Sequence, residues 1–74
     1  MGTKNNPGQF DCYEAADPDE PMFVLLARDP DAPRLVREWA RNRELRDGPN
    51  AKVREARACA DAMEEWYLRD EIVP

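Results

Sequence analysis

Glu64 with Glu65, and Asp17 with Asp19, are the carboxylate pairs in this chain that could divide acid and base roles. General acid–base work needs two carboxyls turned to one substrate, with their pKa values pushed apart by their surroundings. Adjacent residues on a helix do not face one another, and no pocket signature accompanies either pair. The chain contains no serine and no histidine, and Thr3 is its single threonine. Ser–His and Cys–His nucleophilic machinery cannot be built from these residues. Cys12 and Cys59 are too few for a disulfide framework and, without histidine, cannot form the usual structural zinc sites. They read as two reduced, partly buried thiols, the alternative being a bridge between the N-terminal arm and the second helix. The expectation is a protein that is not an enzyme, with no catalytic residue, no cofactor and no metal.

The remaining candidate chemistry is charge. Residues 1–20 hold one base and five acids, residues 28–57 nine bases and six acids, and residues 58–74 one base and five acids, for a net of −5. Arg34, Arg37 and Arg41 share one helical face and could form a phosphate-binding stripe. Glu38 and Glu44 lie at pairing distance on the same helix, so a solvated, self-neutralised face is the plainer reading. No aromatic residue interleaves the arginines as a base-stacking surface would need. The acids at 11, 14, 17, 19 and 20 and at 61, 64, 65, 70 and 71 could meet a basic partner and steer its approach, or serve solubility alone. Asp17, Asp19, Glu20, Asp61, Glu64 and Glu65 are the acidic candidates for a partner surface.

The elements that must position these charges follow from periodicity. Ala32, Leu35, Val36, Trp39 and Ala40 form one apolar stripe, which predicts a helix over 29–46 with Trp39 at the centre of its buried face. Asp29 is placed to cap it, Pro30 to take the first position, and Asp31 and Pro33 to fall in the first turn. Asp47-Gly48-Pro49-Asn50 is a stop, turn and restart signal. Val53, Ala56, Ala60, Met63 and Tyr67, widened by Cys59 and Trp66, predict a second helix over 51–69, antiparallel to the first because the loop is short. Trp39 is expected to meet Trp66 or Met63. Residues 1–9 read as a flexible tail and 10–28 as an arm with an apolar element, in which Phe10, Cys12 and Tyr13 could pin the chain to the helices. The apolar run 22–28 favours a short helix over a strand. Residues 70–74 are expected to fray. The fold class is all-α, an antiparallel helical hairpin with a short N-terminal helix or extended arm packed across it, in a single small domain over 1–74.

A chain of 74 residues buries only about 60% of the surface its unfolded form exposes, so a homodimer or a bound partner would help such a core. No apolar run approaches the ~20 residues of a membrane helix, the N-terminus lacks a secretory h-region, and Asn6 stands where a myristoylation signal wants Ser or Thr. The expected location is the cytoplasm.

Residues 18–40 contain D-E-P, F-V-L, A-x-D, A-P and then L-V-x-x-W-A, and the later stretch K-V-R-E-A-R-A-C-A-D-A-M-E-E-W is an alanine-rich helix ending in M-x-x-W. This pattern resembles a group of small proteins encoded by bacteriophages, prophages and bacterial genomes. The resemblance implies an accessory factor that binds and disables a host protein. Anti-CRISPR proteins resemble the chain in size, charge and lack of catalytic residues, by analogy and not by a shared motif. The function expected on that footing is a small acidic protein-binding inhibitor that occludes a surface of a bacterial defence complex, a CRISPR effector complex being the candidate partner. A nucleic-acid-binding accessory protein using Arg34, Arg37 and Arg41, and a small structural homodimer, are the alternatives.

Overall fold

The hairpin stops at glycine. Gly48 has φ +80°, a left-handed conformation that costs a residue without Cβ little, and its N–H donates to the Glu44 carbonyl at 2.7 Å. Asn50 restarts the chain: its side-chain oxygen accepts the Val53 N–H at 2.9 Å and its carbonyl accepts the Arg54 N–H at 3.1 Å. A computed structural model describes the backbone of residues 1–72 and the side chains of residues 1–69. It contains α1 (Cys12–Ala15), α2 (Ala32–Asp47) and α3 (Ala51–Ile72), with no strand among the described residues. The two long helices pack against each other as an antiparallel pair. No helix of the described residues is long and apolar enough to cross a membrane.

α2 starts later than the capping signals suggest. Asp31 precedes the first helical residue, and Pro33 sits in the first turn, where its missing N–H costs nothing. Asp29 does not cap the helix. Its carboxylate accepts the Asp31 N–H at 2.9 Å and its carbonyl accepts the Ala32 N–H at 3.0 Å, so it closes a tight turn that feeds the helix. At the other end α3 continues to Ile72 instead of fraying from residue 70; Val73 and Pro74 lie outside the described residues.

The interface between the helices is lined by small residues. Ala32, Ala40, Val53, Ala56 and Ala60 are fully buried, and Val36 and Met1 pack against the cluster of Ala40, Val53 and Ala56. Trp39 is not the centre of the buried face. It stays 39% exposed at the margin, with the Arg43 guanidinium 5.7 Å and the Lys52 ammonium 5.9 Å from its ring centroid. Lys52 opens α3, and Trp66 lies fourteen residues further on, about 21 Å along a helix. Trp39 therefore cannot face Trp66. The physical reason is helix separation: alanine at 40, 56 and 60 lets the backbones approach too closely for an indole to enter between them.

The arm also departs from expectation. Residues 1–9 are docked, not a loose tail: the Glu55 carboxylate on α3 accepts the N–H groups of Gln9 at 2.7 Å and Phe10 at 2.9 Å, and the Met1 amino nitrogen lies 3.3 Å away. Cys12 and Tyr13 are exposed and pin nothing, while Phe10 is half-buried. α1 is a single turn whose Asp11 carboxylate accepts the Tyr13 N–H at 3.1 Å. Residues 22–28 form neither helix nor strand. A run this short, closed by Pro21 and Asp29-Pro30 and containing Phe23 and Val24, cannot offset the cost of helix nucleation. It ends instead in a turn in which the Asp29 N–H donates to the Leu26 carbonyl at 3.0 Å.

Candidate interaction surface

Helical geometry divides the hairpin into two flanks. On one, Arg37 of α2 reaches across to α3, with Nη2 2.8 Å from Asp61 and Nη1 2.9 Å from Glu64. One turn further, Arg57 returns the bridge, its guanidinium nitrogens 2.8 and 3.2 Å from the two Glu44 oxygens. The hydrogen bond that Arg37 donates to Asp61, then that to Glu64, raises the Arg37 pKa, and the hydrogen bond donated by Arg57 holds Glu44 below its usual carboxylate range. The charge blocks of the sequence thus meet across the hairpin and neutralise one another. Exposed pairs of this kind add little stability each, but they set the register in which the helices pair.

The candidate charged residues separate accordingly. Arg37, Asp61 and Glu64 belong to one cross-helix cluster. Arg34 lies 3.7 Å from Asp31, and Arg41 makes no ion pair among the described residues. The three arginines do not form a continuous uncommitted stripe. In the arm, the Asp17 N–H donates to the Glu20 carboxylate at 3.0 Å and the Glu20 N–H to the Asp17 carbonyl at 3.1 Å, closing a turn around exposed Asp19. Glu65 is exposed on α3. Asp70 and Glu71 have side chains outside the described residues. Among the described residues no group of three or more acids and cysteines could hold a metal ion. Both cysteines are free thiols, Cys12 exposed and Cys59 half-buried, with burial pushing the Cys59 thiol up and away from thiolate reactivity.

The other flank is apolar. At helical spacing, Leu35 and Trp39 fall on the side of α2 away from Arg37 and Glu44, and Cys59, Met63 and Trp66 fall on the corresponding side of α3. Residues 25–28 of the arm run beside α3 and enclose a shallow groove of about 300 Å³ with Cys59, Met63 and Trp66. The arm's apolar run is left outside: Phe23 is 85% exposed, and Met22, Val24 and Leu26 are exposed with it. From Pro21 to Leu25 the backbone makes no hydrogen bond to other described residues. Among the described residues ten large apolar or aromatic side chains are exposed, while the buried residues are Ala32, Pro33, Ala40, Val53, Ala56 and Ala60.

No protein-family model, curated protein or solved structure matches the chain.

Sequence reasoning named the acids and arginines and passed over the residues that stand out here. Phe23 and its neighbours carry no functional signal in the sequence, because an apolar run ordinarily goes inside. Glu55 carried no signal at all, since its partners are backbone N–H groups about 45 residues away.

Proposed function

We propose that this chain is a protein-binding module that acts by occupying a surface of another macromolecule through the exposed arm segment Met22–Leu26. The observation that carries the reading is that Met22, Phe23, Val24 and Leu26 are exposed, and that the backbone from Met22 to Leu25 makes no hydrogen bond to other described residues. Such a segment offers a partner both side-chain area and main-chain donors and acceptors, the ingredients of peptide-like docking into a groove or along a sheet edge. Its specific form, resting on the resemblance to small phage and prophage proteins, is an inhibitor that occludes a defence complex in the cytoplasm of a bacterial host, in the manner of an anti-CRISPR protein.

The cross-helix cluster favours steric occlusion over charge mimicry. Asp61 and Glu64 already face Arg37, so a nucleic-acid-like acidic surface would rest on Asp17, Asp19, Glu20 and Glu65. The test is affinity capture by the tagged full chain from a bacterial lysate with intact defence systems, paired with a defence assay in cells. The expected result is one stable partner and reduced defence, both lost in Phe23→Asp and kept in Leu45→Asp. Full defence activity with no partner recovered would overturn the proposal. Charge reversal at Asp17, Asp19, Glu20 and Glu65 should leave inhibition in place; its loss would replace the steric mode with the electrostatic one.

A further inference from the structure

The whole chain, arm included, exposes more surface than a molecule of its mass should. Its accessible area is 6190 Å² at 8.5 kDa, where surface–mass scaling gives about 4,700 Å² for a compact monomer. The radius of gyration, 13.1 Å, likewise exceeds the value of about 11 Å for a compact chain of this length. The surplus of about 1,500 Å² is larger than the ~800 Å² that each partner of a standard interface covers, and falls in the range of obligate homodimers. The interior, by contrast, is incomplete: Val53 is the largest fully buried side chain, and both tryptophans remain outside.

We infer that a second copy of this chain completes the core by packing against the apolar flank formed by Leu35 and Trp39 of α2 with Met63 and Trp66 of α3. Leu35, Trp39 and Trp66 are 38%, 39% and 40% exposed, half-seated against their own chain and open on the outer side. An isologous two-fold arrangement sets the Leu35–Trp39 ridge of one copy against the Met63–Trp66 side of its mate, and reciprocally. Two charges bordering the flank are already engaged: Arg43 pairs with Asp47 at 3.0 Å, and both Arg43 and Lys52 approach the Trp39 ring. Arg28, at the edge beside Met63 and Trp66, and Arg46, one helical stretch beyond Trp39, must stay at the solvated rim of the contact. A core that is missing from the folded chain itself must be supplied whenever the chain is folded. A second copy is always present, whereas a foreign partner is not. This inference uses the hairpin flank and not the arm segment on which the partner-binding reading rests, so each can fail alone.

Each copy carries a net charge of −5, so two copies repel one another at long range. Salt screens that repulsion and should tighten the dimer, the opposite of its effect on a complex between an acidic protein and a basic one. The test is sedimentation equilibrium and thermal melting of the full wild-type chain from micromolar to several hundred micromolar, at low and high salt, with iodide-free acrylamide quenching of tryptophan fluorescence across the same series. The expected results are a mass of two chains at the upper end, a melting midpoint that rises with concentration, salt-promoted association, and a severalfold fall in quenching as Trp39 and Trp66 become covered. Leu35→Glu should weaken association at least tenfold and Leu45→Glu should not. A single-chain mass with concentration-independent melting throughout overturns the inference. So does a dimer whose tryptophan quenching is unchanged, which needs no variant to fold and would place the contact elsewhere.

Discussion

The Glu55 carboxylate accepts the Phe10 N–H at 2.9 Å, joining the arm to the N-terminal part of α3 across 45 residues of sequence. Its other oxygen accepts the Gln9 N–H at 2.7 Å. One side chain thus satisfies two consecutive backbone donors and holds residues 1–10 against the helix pair. Nearby Gly8 has φ +82°, and a Cβ there would stand 2.9 Å from a Glu55 oxygen. The sharp approach of the arm therefore needs glycine.

Hydrogen bonds from Gln9, with smaller help from Phe10 and the Met1 amino group, hold the Glu55 pKa below its ordinary value. A carboxyl depressed on folding contributes stability that is present above its unfolded pKa and is lost as pH falls through the folded one. The arm is thus expected to loosen on the acid side of the ordinary carboxylate range. Hydrogen exchange at the Gln9 and Phe10 amides should accelerate there before α2 and α3 open. Glu55→Gln should produce the same local opening at neutral pH, because one oxygen becomes an NH₂ that meets a donor. Unchanged protection at both amides in Glu55→Gln would refute the clasp.

Ala56 is fully buried where α3 meets α2. Ala56→Leu should force the helices apart and cost about 1–3 kcal/mol, the usual penalty of overpacking. Leu45→Ala, at a position 76% exposed, should stay within about 0.5 kcal/mol of wild type. Urea unfolding of the two variants decides the matter, and a neutral Ala56→Leu would mean that the helices are not in close contact there.

Trp39 gives a contrasting expectation. Truncation of a fully buried tryptophan costs roughly 3–5 kcal/mol, and Trp39→Ala should cost less because the ring is half outside. Its partners are cations as well as carbon, so replacing Arg43 and Lys52 by glutamine should blue- or red-shift the Trp39 emission without unfolding the chain. Emission identical to wild type in the double variant would contradict the contact.

Arg37 binds Asp61 and Glu64 together, so its removal should affect both acids. Arg37→Ala is expected to change stability only slightly, as exposed pairs do. Arg37→Glu places three acids together and should destabilise the hairpin more, with most of that loss recovered at high salt. A loss insensitive to salt would point to packing of the arginine stem instead of its charge.

Helix content and the order of elements were legible in the sequence because they depend on local rules. The 3.6-residue spacing of Ala32, Val36 and Ala40, and of Val53, Ala56 and Ala60, requires one buried stripe on each helix, and Asp47-Gly48-Pro49-Asn50 can only stop one helix and start another. An all-helical hairpin with an arm follows from those facts, and α2 and α3 are where they should be to within three residues. The absence of histidine and serine likewise bounds the chemistry before any folding is considered.

What the tertiary structure decided is which member of each stripe goes inside and what each charge faces. Periodicity places Trp39 and Ala40 on the same side; only the distance between helix axes, set by alanines on both helices, selects Ala40 for the interior and leaves Trp39 at the margin. Sequence blocks of acid and base look like separate surfaces until antiparallel pairing lays Arg37 beside Asp61 and Glu64, and Glu44 beside Arg57. The apolar run at Met22–Leu26 carries hydrophobicity but no instruction about a partner, and within one chain there is no room left in the alanine seam to receive it. Local propensity and spacing act over a few residues and are written in order along the chain. Packing distance, cross-helix charge pairing and the Glu55 clasp depend on groups brought together from far apart, and they exist only once the hairpin has closed.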